Sequence, residues 1–184
     1  MTDHYHFEKS FWGNCCNTFY EDKKHYVYAK FMGITCKYTS FILPNISVLD
    51  IGGGPTSMLL KCNGLKSGLV VDPIEYPKWT RDRYGCMGIG VQIMTGEQIN
   101  YTGFDEAWIY NCLQHTEDPE KIIRNARKAA PVLRIFEWID IPAHEGHPQE
   151  LKEDTLNKRI GGKGRTAQLS FDGCYGRCYY GEFS

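Results

Sequence analysis

Val48-Leu49-Asp50-Ile51-Gly52-Gly53-Gly54 is a short apolar run that ends in an acid and three consecutive glycines, with Pro55-Thr56-Ser57 behind it. Val48, Leu49 and Ile51 suit a buried strand. The glycines suit a sharp turn in which backbone comes very close to a ligand, because a Cβ there would collide with it. Pro55 suits the first position of a following helix, where a missing N–H is not felt. Strand, glycine turn and helix together predict the cradle of a nucleotide-type cofactor.

Outward from that stretch the pattern alternates. Pro55–Cys62 reads as a short helix, residues 64–68 as a turn, and Leu69-Val70-Val71-Asp72 as a second strand. Residues 73–83 give a loop or short helix, and strands follow over 86–94 and 104–110. Asp118-Pro119-Glu120 opens a helix, with the acid as cap, proline at the first position and glutamate in the first turn. Ile122, Ile123, Ala126, Ala129 and Ala130 form its apolar stripe. A fifth strand over 132–138, a helix over 150–160 and a hairpin of 167–172 with 175–181 complete the chain. Ahead of the sheet, residues 5–32 read as helical with a break at Gly13-Asn14, and Leu43-Pro44-Asn45 marks the entry into the sheet. The expectation is a doubly wound α/β unit with a mostly parallel sheet and a closing antiparallel hairpin. Residues 1–44 are expected to form an N-terminal helical cap, and residues 45–184 the binding domain, as one compact unit.

Composition narrows the class. The chain has 184 residues, 42% apolar and 23% charged, as in an ordinary globule with a sizeable core. Its net charge of −1 exerts no global pull toward nucleic acid or membrane. No stretch approaches the roughly 20 apolar residues of a membrane helix, and the N-terminus has no apolar core of a signal peptide. A cytoplasmic protein is expected. The eight cysteines include no C-x-x-C pair, so no structural zinc is expected and buried free thiols in a reducing compartment are the simpler reading.

Asp72 follows Gly52 by the twenty residues expected of a ribose-binding acid. That fits NAD and S-adenosylmethionine (SAM) alike. A dinucleotide loop wants G-x-G-x-x-G, and here the last position is Ser57. Asp50 points the same way, since a carboxylate at the strand end attracts a sulfonium and repels a diphosphate.

On these residues the chain resembles the class I SAM-dependent methyltransferases. Val48 to Pro55 is similar to their first motif and Val70-Val71-Asp72-Pro73 to their second, while Phe104 to Pro119 resembles the family's L-x-H-x-x-D-P segment, typical of members acting on small molecules. The similarity covers about residues 45–140. It departs at Thr56, where the family has a third glycine, and at Asn111, which is followed by Cys112-Leu113-Gln114 rather than Pro-Pro-Tyr. The resemblance implies a Rossmann-like seven-stranded sheet of order 3-2-1-4-5-7-6, with the N-terminal helices over the pocket. It implies binding of SAM, with S-adenosylhomocysteine as product, through Asp50, Gly52, Gly53, Gly54, Asp72, Pro73, Gly96, Glu97 and Asn111. It further implies methyl transfer to a small-molecule acceptor; nucleic acid is not expected as a partner.

Methyl transfer needs a base only when the acceptor must lose a proton. His115, just past the fourth strand, is the first candidate, because its unperturbed pKa lies near neutrality. A second cluster, Glu137, Asp140, His144 and His147, follows the fifth strand. It could hold a divalent metal, supply a substrate-binding acid and base, or form a polar loop over the pocket. Glu137 and His147 join His115 as catalytic candidates, and no metal ligand set is assigned. Cys112 could act as a nucleophile or be buried at the strand end, and Tyr179 or Tyr180 could touch substrate. Two other functions remain open on the sequence: a SAM-binding protein that cleaves SAM or regulates a partner without methylating, and a small NAD oxidoreductase.

Overall fold

A computed structural model describes residues 3–37, 39–171 and 173–184, so the hairpin turn expected at residue 172 lies outside the described residues. Two helices, α1 (Asp3–Trp12) and α2 (Cys15–Phe31), come first and break at residues 13–14 as expected. Then come β1 (Thr35–Lys37), β2 (Ser40–Ile51), β3 (Cys62–Asp72), α3 (Lys78–Cys86), β4 (Ile89–Ile93), β5 (Glu106–Tyr110), α4 (Pro119–Ala129), β6 (Val132–Ile139), α5 (Glu153–Ile160), β7 (Arg165–Phe171) and β8 (Cys174–Phe183). The sheet order is β4-β3-β2-β5-β6-β8-β7, with β1 antiparallel on the early part of β2. With β1 set aside, this is the expected order 3-2-1-4-5-7-6. β2 pairs in parallel with β3 and β5, and β8 runs antiparallel between β6 and β7.

Alternation along the central strands feeds two cores. Leu49, Ile51, Ala107, Ile109, Leu133 and Ile135 face α4 and α5. Val48, Val70, Trp108 and Phe136 face α2 and α3. The stripe of α4 is buried as its spacing predicts, and Asp118 accepts the Lys121 N–H at 2.9 Å as its cap. Each fully buried isoleucine in that stripe contributes about 1.5–3 kcal/mol.

Several expected elements differ. The helix predicted over Pro55–Cys62 is a four-residue 3₁₀ turn, Met58–Lys61, capped by Ser57. The predicted turn over residues 64–68 is strand, because β3 begins at Cys62 and pairs with Phe41 onward. Gly64 marks a close backbone approach rather than a turn: its φ is +82°, and a Cβ there would sit 2.1 Å from the Leu43 carbonyl oxygen. The 44/45 boundary falls inside β2, where Asn45 takes φ 59° next to a register shift. The helix expected over 150–160 begins only at Glu153, and the segment before it is tied by Gln149 N–H to the Gln114 carbonyl (3.2 Å) and by Asp140 N–H to the Leu151 carbonyl (2.9 Å).

α2 is fastened over the sheet at its end. Arg134 donates to both Glu106 oxygens (2.7 and 2.9 Å) and to the Met32 carbonyl at 2.7 Å. A guanidinium thus satisfies a helix-end carbonyl that would otherwise be orphaned. Among the described residues no helix is long and apolar enough to cross a membrane.

Candidate functional site

A cleft lies over the carboxyl ends of β2, β3 and β5, roofed by α1 and α2. Its position is the one open parallel sheets use for ligands. The wall includes Gly52, Gly53, Gly54, Asp72, Pro73, Gly96, Glu97, Asn111 and His115. Asp50, Glu137 and His147 do not line it.

The glycine turn is held in an unexpected way. Without a helix after it, the amides that follow it are taken by tyrosine hydroxyls. Tyr84 of α3 accepts the Ser57 N–H (2.8 Å) and donates to the Gly54 carbonyl (2.7 Å). Tyr110 of β5 accepts the Met58 N–H (3.1 Å) and donates to Asp50 (2.7 Å). Asp50 also accepts the Ser57 hydroxyl and has no exposed surface. Burial pushes its carboxyl up to about 7, against the pull of the Ser57 and Tyr110 hydroxyls. Asp50 therefore pins the turn from beneath, and the direct attraction to a sulfonium expected of it is muted by depth and partial protonation.

The glycines themselves divide. A Cβ on Gly52 (φ +75°) would meet Cys112 at 2.6 Å, and one on Gly53 would meet Asp50 at 2.5 Å. Protein crowding, rather than a ligand, requires glycine at both. Only Gly54 (φ +62°) faces open cleft, with the Tyr76 hydroxyl at 3.8 Å from its notional Cβ.

Asp72 ends β3 with one oxygen accepting the Gly54 N–H (3.1 Å) and the other the Ile74 N–H (3.0 Å). Burial raises its pKa to about 6, while those amides and the Tyr76 hydroxyl oppose the shift. Across the cleft, Asn125 of α4 donates to the Gly96 and Glu97 carbonyls (3.1 and 3.0 Å), and a Cβ on Gly96 would strike Ile122 at 2.9 Å. Glu97 accepts the Asp118 N–H at 3.1 Å. Asn111, at φ 51°, links β5 to the roof by donating to Glu21 at 3.3 Å.

His115 closes one end. Its Nδ1 lies 2.7 Å from the Gly146 carbonyl and 3.2 Å from Glu8 of α1. Two acceptors there place the hydrogen on Nδ1 and leave Nε2, beside the Gln114 amide at 3.4 Å, as the basic nitrogen. Burial works against its charge, but Glu8 and the Gly146 carbonyl outweigh it and raise the pKa. His147 stacks edge-on against His115 at 4.5 Å and is bridged to His144. Burial, then the nearby His115 and His144, lower its pKa to about 4, so it is neutral at pH 7.

The second cluster does not converge. Glu137 has no exposed surface and accepts the Cys112 and Leu113 amides, both at 3.0 Å. Asp140 pairs with Arg177 (3.0 Å) and Lys152 (3.4 Å). Among the described residues no group of three or more His, Cys, Asp or Glu is arranged to hold a metal. Cys112 lines the cleft, but its thiol donates to the Ile51 carbonyl at 3.3 Å and burial lifts its pKa well above the usual value. It is not a ready nucleophile. Tyr179 is fully buried away from the cleft, bonded to Asn157 (2.9 Å) and to the Gly164 N–H (3.1 Å).

The roof residues escaped the sequence reading: Glu8 and Trp12 of α1, and Glu21 and His25 of α2. A signal existed. Each pair is spaced i, i+4, which sets both members on one helix face.

Charge in this cleft is one-sided. Glu8, Glu21, Asp72 and Glu97 line it, and among the described residues of its wall there is no Lys or Arg. Buried carboxyls also set a pH dependence. Asp50 and Glu137 titrate near 7 in the fold against about 4 when unfolded. The fold therefore holds protons the unfolded chain has lost, and stability falls as pH rises through 7. His115, with its raised pKa, acts in the same sense. His25 and His147, held neutral, oppose it only below about 6.5. Between pH 6.5 and 8 the ligand-free protein is expected to lose on the order of 1–2 kcal/mol, read as a lower urea midpoint. An unchanged midpoint would mean that both carboxyls are ionised within the fold.

Known proteins agree on the fold. No family model matches the chain. A ribosomal RNA small subunit methyltransferase H of Lachnoclostridium phytofermentans is 44% identical over 57 residues, which is 29% of this chain and 15% of that protein's length. A SAM-dependent methyltransferase of Thermotoga maritima, described as a possible histamine N-methyltransferase, superposes with a TM-score of 0.63 at 14% identity, covering 96% of this chain and 98% of its own. The N-methyltransferase NodS of Bradyrhizobium japonicum, in complex with S-adenosylhomocysteine, gives a TM-score of 0.55 at 17% identity, covering 75% and 76%. The chain thus has the fold of the class I SAM-dependent methyltransferases.

Proposed function

We propose that this protein is a SAM-dependent methyltransferase acting on a small-molecule acceptor. The observation that carries this is the cleft itself: a glycine turn and Asp72 at neighbouring strand ends, four acids in the wall and no Lys or Arg. Such a wall favours a cationic adenosyl ligand and opposes a diphosphate. It also opposes a nucleic-acid backbone, whose binding needs basic residues.

The residues present fit the group. Asp72 would accept the ribose hydroxyls, Gly54 would leave room for the chain of the ligand, and Glu97 would stand near the adenine. When bound, SAM supplies an electrophilic methyl on sulfur. The protein's part is to position and to manage a proton. α1 and α2 close over the cleft and exclude water, which favours a near-attack arrangement. His115 takes a proton at Nε2 from an acceptor hydroxyl or amine, with Glu8 and the Gly146 carbonyl fixing its ring. Because His115 carries a raised pKa, turnover should climb as pH passes through that value.

Methyl-labelled SAM incubated with the protein and a small-molecule extract is expected to yield a labelled low-mass product. Label recovered only in RNA, or SAM breakdown without any acceptor, would overturn the reading. His115→Asn should lower turnover by about 100-fold while leaving S-adenosylhomocysteine affinity within about threefold. Equal loss of turnover and binding would make His115 structural.

A further inference from the structure

The sheet has β4 and β7 at its outer edges. An outer edge presents a row of unpaired N–H and C=O groups, and folded proteins guard such rows with lysines, prolines, bulges or short strands. β4 is guarded in part: it is five residues long and is weakened by Gly90. β7 is seven residues long, and from Thr166 to Phe171 it holds no charge and no proline. Its ladder with β8 runs from Arg165 opposite Tyr180 to Phe171 opposite Cys174 without a register shift, so no bulge turns the edge away. Among the described residues β7 pairs with β8 alone.

Register fixes which backbone groups face outward. Phe171 lies opposite Cys174, two residues beyond a direct neighbour, and the pair that closes so short a hairpin exchanges backbone hydrogen bonds. By alternation Arg165, Ala167, Leu169 and Phe171 turn their backbone groups toward β8, and Thr166, Gln168 and Ser170 turn theirs to the open edge. Side chains alternate with the same period. Ala167, Leu169 and Phe171 lie half-buried against the cluster that holds Trp138, and Phe171 stacks on Trp138 at 6.0 Å. The Thr166 hydroxyl stands on the other face, where it accepts from Arg177 at 3.2 Å.

We propose that β7 is the surface through which two copies of this chain associate, pairing antiparallel about a two-fold axis at Gln168. In that register Thr166 of one copy lies opposite Ser170 of the second, and Gln168 lies opposite its own counterpart. These are the residues with outward backbone groups, so every outward N–H and C=O is met. On one face Ala167 meets Leu169, and the Arg165 guanidinium meets the Phe171 ring, a cation–π match. On the other face the hydroxyls of Thr166 and Ser170 meet. A slip of one residue would set outward groups against inward ones and apolar side chains against polar ones. Arg165 to Phe171 is thus its own complement in one register, as a two-fold interface requires. The pairing also continues the layer of Leu169 and Phe171 into a second copy, which covers the half-buried side of each. It is independent of what the cleft binds.

Sedimentation equilibrium on the full chain tests this. Wild-type protein is expected to form a dimer with a Kd of about 10 µM, weak because an edge pairing is a small interface. Gln168→Lys sets like charges directly opposite at the axis and should weaken association about tenfold. Gln168→Glu should do the same alone. An equimolar mixture of the two variants should dimerise within about threefold of wild type, because residue 168 faces its counterpart only at a two-fold axis. Gln168 is exposed, so both variants should melt as the wild-type monomer does. Should either fail to fold, Gln168→Pro carries the comparison, since an outward N–H can be lost from an edge without breaking the ladder to β8. Gln92→Lys, on the β4 edge, should associate as wild type. Wild-type protein that stays monomeric at about 100 µM, folded Gln168 variants that dimerise unchanged, a mixture that recovers nothing, or loss of association in Gln92→Lys would each overturn the proposal.

Discussion

Asp72→Asn is expected to weaken S-adenosylhomocysteine binding by about 100-fold. Two ribose hydroxyls donating to one carboxylate are worth about 1.5 kcal/mol each at the low end for charged acceptors, or about two decades together. The substitution also turns an NH₂ toward the Gly54 or Ile74 amide, both of which now donate to Asp72. Donor would face donor, so the turn that shapes the cleft would loosen. Tyr76 serves as the control. Its hydroxyl lies beside Asp72 and opposes the burial shift of that carboxyl. A ribose arriving at Asp72 would replace it. Tyr76→Phe should therefore leave affinity within about threefold. Calorimetry on the two variants checks both statements. An Asp72→Asn protein that binds as wild type would remove the ribose assignment.

Glu137→Ala is expected to cost about 3 kcal/mol of stability and to lower the melting temperature by about 6–12 °C. One carboxylate oxygen accepts both the Cys112 and Leu113 amides at 3.0 Å, in a site with no exposed surface. Truncation would leave two buried N–H groups unmet, each at about 1–3 kcal/mol. Glu137→Gln keeps the accepting oxygen and loses only a charge that burial already disfavours, since the carboxyl sits near 7. It should fold with less than about 1 kcal/mol of loss and retain turnover. This contrast separates an anchor of the Asn111–His115 turn from a reacting group. Turnover abolished in a stable Glu137→Gln protein would restore a catalytic role.

The two residues show how far local pattern reaches. Asp72 ends β3 and Glu137 lies two residues before the end of β6, and both looked like chemistry. Asp72 stands in the cleft because the chain turns away at once through Pro73. Glu137 is buried because the loop after β5 folds back over it and sets the Cys112 and Leu113 amides on one of its oxygens. Nothing within a few residues of Glu137 reports that loop, which lies 24 and 25 residues earlier. The glycines tell the same story. Their number and spacing marked a tight turn correctly, but Gly52 and Gly53 are small to clear Cys112 and Asp50. The helix foreseen after Pro55 failed because Cys62 onward pairs with β2 and leaves room for only a 3₁₀ turn.

Periodicity and capping chemistry are local, and they carried the alternation of strands and helices, the α4 stripe with its Asp118 cap and the break between α1 and α2, whereas the strand order followed from the family resemblance of the motifs. Contacts between distant segments are not written in any window of residues. The meeting of Glu8 with His115 and the unsatisfied His25 inside the roof arise from packing α1 and α2 onto a sheet formed later in the chain, and the Tyr84 and Tyr110 hydroxyls reach the turn after β2 from α3 and β5. Burial then decides which carboxyls stay charged, because the cost of desolvation depends on what covers a group rather than on its neighbours in sequence.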